Sequence, residues 1–322
     1  MAIIKTMNDE LIKIKIGVSS CLLGENVRFD SGHKKNNYLV NVLSHYFEFS
    51  PFCPEVAIGL GIPREPIRLV NDNDVIKCVG TKNAEIDVTE QLVNVANEQQ
   101  NWQQELSGYI LKKDSPSCGM ERVKVYKSSM PERNGIGIYA RQLMTNFPHL
   151  PVEEEGRLND LIIRENFIQR VYIYHRWQQL TASTFSMSDI QKFHAQHKYI
   201  YMSHDQLGLK ALGRLLAEPA SDIKLLAEEY LTQVMQLLKN KATKQSHSNT
   251  LQHIQGYLKN YISADDKQEL NETIGQYRKG FLPLIVPITL LRHHFRKYPN
   301  EYIGDSFYLS PHPGELMLLN SL

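Results

Sequence analysis

The sequence predicts two domains: an α/β N-terminal domain with a Rossmann-like parallel sheet, then an all-α C-terminal domain. Three observations carry this. Strand-like apolar runs alternate with helical patterns through the first half, as a parallel sheet with crossover helices requires. From Leu158 onward apolar residues recur at three- and four-residue intervals, which is helical spacing. A length of 322 residues is about two domains on the usual prior.

The elements follow in order. "IKIKIGVSS" (12–20) is rich in Ile and Val and ends in small residues, so it reads as a buried strand. "YLVNVLSHYF" (38–47) has helical spacing, and "VIKCVG" (75–80) is strand-like. "DVTEQLVNVANEQQNWQQEL" (87–106) is a helix opened by an Asp/Thr cap signal. "GYILKK" (108–113) is a further strand. "NFPHLPVEEEG" (146–156), with two prolines and three successive glutamates, reads as the linker between domains 1–150 and 157–322. Helices are then expected over 157–180, 188–197 (with a capping box of Ser188 and Gln191), 205–217, 222–242, 247–262, 265–279 and 287–298.

Charge excludes little. There are 36 basic and 35 acidic residues. Residues 1–156 hold 17 basic and 20 acidic side chains, and residues 157–322 hold 19 and 15 with nine of the twelve histidines. The second half therefore tolerates an anionic partner. No apolar run approaches the roughly 20 residues that span a bilayer. The first 20 residues are broken by Lys, Asn, Asp and Glu, unlike a signal peptide. A cytoplasmic protein without a membrane partner is expected.

Four cysteines, at 21, 53, 78 and 118, are too few and too scattered for a secreted disulfide framework. Cys78, inside a strand-like run, reads as a small buried hydrophobe. The other three lie in turns: "GVSSCLLG", "SPFCPEVAIGLGIPREP" and "DSPSCG". Segments that follow parallel strands converge at the carboxyl edge of the sheet, where ligands bind. Cys21, Cys53 and Cys118 are thus placed to meet. Thiolates are soft ligands that suit zinc or iron–sulfur clusters. A closed zinc site favours four ligands in short C-x-x-C pairs, and none occurs here. Three cysteines suit a 4Fe–4S cluster with one open iron.

The stretches "SSCLLGENVRFDSGHK", "FCPEVAIGLGIPREPIRLV" and "ILKKDSPSCGM" together resemble the thiouracil desulfidase (TudS-like) family. The resemblance covers residues 12–150. It implies that Cys21, Cys53 and Cys118 hold a 4Fe–4S cluster whose unique iron takes sulfur from a thiolated pyrimidine. Glu55, two residues after Cys53, is the expected general base. Ser115 is expected to relay a proton or contact substrate. Asp30 is a second acid/base or a structural partner of Arg28. In the second half, "LIIRENFIQRVYIYHRW", "FHAQHKYIYMSH", "YRKGFLPLIVPITLLRHH" and "YLSPHPGELML" resemble the helical YbgA-like domain. The fusion is similar to RudS-type enzymes, and implies removal of sulfur from 4-thiouridine in tRNA to give uridine and sulfide.

A thiolated base in folded RNA has to be delivered to the cluster. Lys259, Arg278, Arg292, Arg296 and Lys297 are the expected RNA contacts, with Lys239, Lys241 and Lys244 nearby. Arg292 and Arg296 are four apart and share a helical face. His194, His197 and His204 read as polar or RNA contacts rather than metal ligands. Two alternatives stand beside this reading: a desulfidase of free thiouracil, and a non-enzymatic RNA-binding protein whose cysteines hold zinc.

Overall fold

Ile14, Ile16 and Val18 alternate with Lys15 and Gly17, and this period of two forms the strand β1 (Ile14–Ser19), almost entirely buried. In this computed structural model the described residues are 13–127, 130–219, 221–316 and 318–320. The leader-peptide expectation falls mostly on residues 1–12, outside them. The chain divides into two units, Met1–Arg157 and Leu158–Leu322.

The first unit continues with α1 (Asn37–Asn41), β2 (Phe47–Phe52) and α2 (Pro54–Ala57). Then come β3 (Ile67–Asp72), β4 (Val75–Gly80), α3 (Thr89–Glu98) and α4 (Gln100–Gln103). It ends with β5 (Gly108–Leu111), β6 (Val123–Tyr126), β7 (Pro131–Gly135), α5 (Ile138–Asn146) and β8 (Val152–Glu154). Strands β2, β1, β5 and β8, in that spatial order, form an all-parallel sheet. Its core includes Ile16, Val18, Leu22, Leu43, Leu92, Ile110, Leu143 and the paired phenols of Tyr109 and Tyr139. The α/β class is as expected.

Three details differ from expectation. The helical reading of 38–47 ends early, because Phe47 starts β2. The "VIKCVG" strand is not in the parallel sheet; it pairs antiparallel with β3 in a second sheet of order β4-β3-β6-β7. Its hairpin turns through Asn73 and Asp74 at φ 52° and 67°, the left-handed pair of a tight two-residue turn. The expected cap of the helix at 87 is partly realised: Asp87 accepts from the Thr89 amide at 2.9 Å, while Thr89 Oγ1 accepts from the Cys78 amide at 2.7 Å.

The segment 146–156 is not a bare linker. It carries β8, and Glu153, Glu154 and Glu155 are all buried. Buried carboxylates need donors, and each finds them. Glu153 pairs with Arg157 at 2.6 Å, Glu154 accepts from the Met120 amide at 2.8 Å, and Glu155 accepts from Lys112 Nζ at 2.5 Å and the Lys113 amide at 2.7 Å. The acidic run bolts the segment 112–121 onto the sheet edge.

The second unit is helical: α6 (Leu161–Thr181), α7 (Met187–His204), α8 (Gln206–Leu215), α9 (Ile223–Leu237), α10 (Lys244–Gln255), α11 (Ala264–Lys279), α12 (Ile285–Lys297) and α13 (Glu301–Gly304). The capping box of α7 is Ser186 with Asp189, not Ser188 with Gln191. Ser186 is the last extended residue, so its hydroxyl faces the free amides; Ser188 already lies in the first turn. An aromatic centre of Trp177, Phe193, Tyr201 and Tyr230 sits among leucines and isoleucines from each of these helices. Among the described residues no helix is long and apolar enough to cross a membrane.

Candidate active site

The three turn cysteines stand at the carboxyl ends of three adjacent parallel strands. Ser19, the last residue of β1, is level with Phe52, the last of β2, and Val18 is level with Ile110 of β5. Cys21 therefore lies two residues beyond β1, Cys53 one beyond β2, and Cys118 on the loop that leaves β5. The chain passes from β1 to β2 on one side and returns to β5 on the other. This is the strand-order reversal where α/β sheets open a ligand crevice.

All three cysteines line one cavity of about 270 Å³, together with Glu55, Arg28, Phe29, Phe52, Arg64, Lys112 and Ser115. Cys78 does not; it is fully buried in the second sheet. Burial pushes the Cys21 thiol up to about 11, and the neighbouring Cys53 adds to this, against Lys112 and Arg28. Burial also raises Cys118, helped by Cys53 and Glu55 and opposed by the Ser117 and Ser19 hydroxyls. Cys53 is raised by burial too, while the amides of Val56 and Glu55 work against it. The charge of Cys53 thus acts on both Cys21 and Cys118, while Lys112 and Arg28 favour the thiolate at Cys21 and Arg64 favours it at Cys53. A soft polynuclear cation would relieve the cost of ionising them. Among the described residues no three His, Cys, Asp or Glu side chains converge closely enough to hold one metal ion. Three cysteines lining one cavity are a donor set that suits an iron–sulfur cluster.

The Cys118 turn is set by α5. The amides of Gly137, Ile138 and Ala140, which have no partner inside their own helix, donate to the carbonyls of Gly119, Pro116 and Ser117 at 2.7, 3.0 and 3.0 Å. Gly137 permits this approach: a Cβ there would lie 2.5 Å from the Ser117 carbonyl oxygen. Gly137→Ala is therefore expected to cost about 1–3 kcal/mol and to lower cluster content. A thermal midpoint equal to that of the parent protein would show that the loop does not rest on the helix in this way.

Glu55 is held from two sides. Arg64 donates to its Oε2 through Nε at 3.0 Å and Nη2 at 2.7 Å, and Ser117 Oγ donates to its Oε1 at 2.6 Å. Ser117 in turn adjoins Cys118, with its Oγ 3.6 Å from the sulfur. Ser115 lines the same cavity. Its Oγ accepts from the amides of Ser117 and Cys118 at 3.3 and 3.1 Å and lies 3.0 Å from Ser117 Oγ. It shapes the turn, and Ser117 meets the carboxylate. Asp30 does not line the cavity; it is exposed, accepts from the Gly32 amide at 3.1 Å and lies 3.5 Å from Arg28 Nε. Sequence reasoning missed Arg64 and Ser117, because their roles depend on how two distant loops meet.

Comparison with known proteins now adds to this geometry. The family described as 2-thiouracil desulfurase matches residues 16–155. The family described as "Protein of unknown function (DUF1722)" matches residues 198–313. The chain joins a TudS-like domain to a YbgA-like domain. The "Uncharacterized protein YbgA" of Escherichia coli K12 is 25% identical over 154 residues, which is 47% of this chain and 91% of that protein. A solved structure, the 4Fe-4S-dependent thiouracil desulfidase TudS, is 29% identical, covering 48% of this chain and 98% of that one at a TM-score of 0.38.

The expected RNA contacts in the YbgA-like domain divide. Lys259, Arg278, Arg296 and Lys297 are exposed. Arg292 is half-buried and committed inward, its Nη2 donating to the Leu309 carbonyl and, at 2.8 Å, to Ser310 Oγ. Arg278 is the second-last residue of α11 and Arg296 the second-last of α12. A five-residue connection joins the two helices, so about 16 Å of α12 separates these cations along its axis. Of the three histidines of α7, His197 is buried and His194 and His204 are half-buried. His197 holds the Phe193 carbonyl at 2.8 Å, His194 meets Tyr230 at 3.2 Å, and His204 bridges Gln169 and the Asn240 carbonyl.

Proposed function

We propose that the protein is an iron–sulfur desulfidase that replaces the sulfur of a thiolated pyrimidine by oxygen from water, with 4-thiouridine in tRNA as substrate. One observation carries the reading: Cys21, Cys53, Cys118 and Glu55 line a single cavity at the carboxyl edge of a parallel sheet. The three cysteines would hold the cluster. With no fourth cysteine in the cavity, it would supply a Lewis acid with one corner open to sulfur.

The protein residues do the rest. Phe29 and Phe52 line the cavity and would give a flat base apolar surface to pack against. Glu55 takes the proton of the attacking water. Arg64 and Ser117 fix the direction of its carboxylate. Lys112, whose Nζ is anchored by Glu155, stands at the same mouth to offset charge that develops on the base. The thiocarbonyl and water give a carbonyl and hydrogen sulfide with no change of oxidation state, so no reductant enters.

The test is anaerobic incubation of cluster-loaded full-length protein with 4-thiouridine-containing tRNA and, in parallel, with free thiouracil, followed by nucleoside analysis and sulfide assay. Uridine and sulfide in equal amounts from tRNA is the expected result. Turnover of free thiouracil alone would confine the activity to bases, and sulfide from neither would overturn the proposal.

A further inference from the structure

The helical unit encloses a second cavity, of about 310 Å³, between α6, the amino end of α10 and α11. Its polar groups are of two kinds. Some are committed to the fold. His204 spans Gln169 and the Asn240 carbonyl at 2.6 and 2.5 Å, and Asn166 donates to the Leu238 carbonyl at 2.8 Å. Others have nothing to bind. Glu165 lies in the wall with no hydrogen bond or ion pair to any described residue, and desolvation pushes it up to about 7. His247 spends Nδ1 on Tyr308 Oη at 2.9 Å, which leaves Nε2 open. Lys241 and Lys244, which also line the cavity, have no carboxylate partner among the described residues.

An unpaired desolvated carboxyl is costly, and a fold that needs only packing has no reason to keep one facing a cavity. The arrangement makes sense around a ligand with two unlike ends. Two lysines beside the amino end of the twelve-residue helix α10 favour an anion. Glu165 asks for an N–H donor. Between them the rings of His247 and Tyr277, 6.3 Å apart and inclined at 72°, form an aromatic corner, with Leu284 completing the wall. A flat ring with an N–H edge and a phosphate fits this order of groups. No three ligating side chains among the described residues converge on a single ion.

We infer that this cavity binds one unpaired nucleotide, its phosphate on Lys241, Lys244 and the amino end of α10, and an N–H edge of its base on Glu165. The nucleotide is either free or part of an RNA strand. The site lies wholly within the helical unit, and its occupancy does not depend on the desulfidase chemistry.

Calorimetric titration of the full-length protein with uridine 5′-monophosphate, and separately with a short oligouridylate, tests this. Binding to one site per chain is expected for at least one probe, weakening as salt rises. Glu165→Leu is expected to weaken it by about tenfold or more, since a charge-assisted hydrogen bond is lost. Its fold should be retained, because a desolvated carboxyl is replaced by an apolar chain of similar size. Lys241→Ala with Lys244→Ala should weaken binding by a similar factor. Binding of both probes with this dependence assigns the site to a free nucleotide, and binding of the oligomer alone assigns it to RNA. Failure of both probes to bind, or affinities unchanged in both variants, would overturn the inference.

Discussion

Glu55→Ala, in protein that still carries its cluster, is expected to lose at least about 10²–10⁴ of desulfidase turnover, the usual worth of a positioned general base. The variant should fold. Arg64 keeps the Val27 and Gly61 carbonyls, each at 2.9 Å, so its guanidinium is not stranded when the carboxylate goes. The only Glu55 group that meets one of the three cysteines is its backbone amide, on Cys53, which alanine keeps, so cluster uptake, read by visible absorption under anaerobic conditions, should match that of the parent. Glu55→Gln separates position from basicity. Glutamine can still accept from Ser117 Oγ but cannot take a proton, so it should be as inactive as alanine. Full activity in either variant would remove Glu55 from the chemistry and leave it as the partner that orders Arg64 and the Cys118 turn. Ser117→Ala is then informative. It frees one carboxylate oxygen without removing the base, and a smaller loss than that of Glu55→Ala is expected.

Much of this arrangement can be read in the sequence, for definite reasons. The cysteines show themselves because turns of Ser, Pro and Gly after apolar runs are poor places to bury a thiol. Strand β1 shows itself by its alternation. Strand β2 does not, because "FEFSPF" contains Pro51, which a central strand would reject. The structure tolerates it because β2 is at the sheet edge, where a missing amide breaks no ladder. Strand β8 is hidden for the opposite reason. Three successive glutamates look solvated, and only the partners supplied by Arg157, Lys112 and the amides of 113 and 120 make their burial affordable. In the helical half apolar periodicity places the helices, but not the face each presents. His194, His197 and His204 fall near one surface of α7, and sequence reads them as polar or RNA contacts. In the structure His197 is buried against Phe193, while His194 and His204 are half-buried with hydrogen-bond partners inside the helical unit.

That placement carries a large consequence below neutral pH. Burial lowers His194 and His204 to about 4, and His197 and His247 to about 3, with lysine or arginine charge adding to the effect at the first three. A free histidine titrates near 6.5. The unfolded chain therefore takes up these protons on acidification before the folded chain does, and stability falls as pH drops from about 6.5 toward the folded values. At pH 5 each group costs about 2 kcal/mol and the four together on the order of 8 kcal/mol, comparable with the whole stability of a typical domain. Glu165 acts in the other direction. Its folded value is raised to about 7, so the penalty of ionising it is relieved between pH 7 and about 4.5, by up to roughly 3 kcal/mol. The histidines outweigh it. The helical signal of the full chain, followed by circular dichroism during thermal melting, is expected to show a midpoint that falls steeply between pH 7 and 5. His197→Phe should flatten that slope. The residue is fully buried against Phe193, Phe307 and Tyr201, its Nε2 has no partner, and Arg176 lies close enough to oppose its charge. A midpoint that held constant or rose between pH 7 and 5 would mean that the folded protein accommodates charged imidazoles, and the surface of α7 would then have to be reconsidered as one that meets water or phosphate.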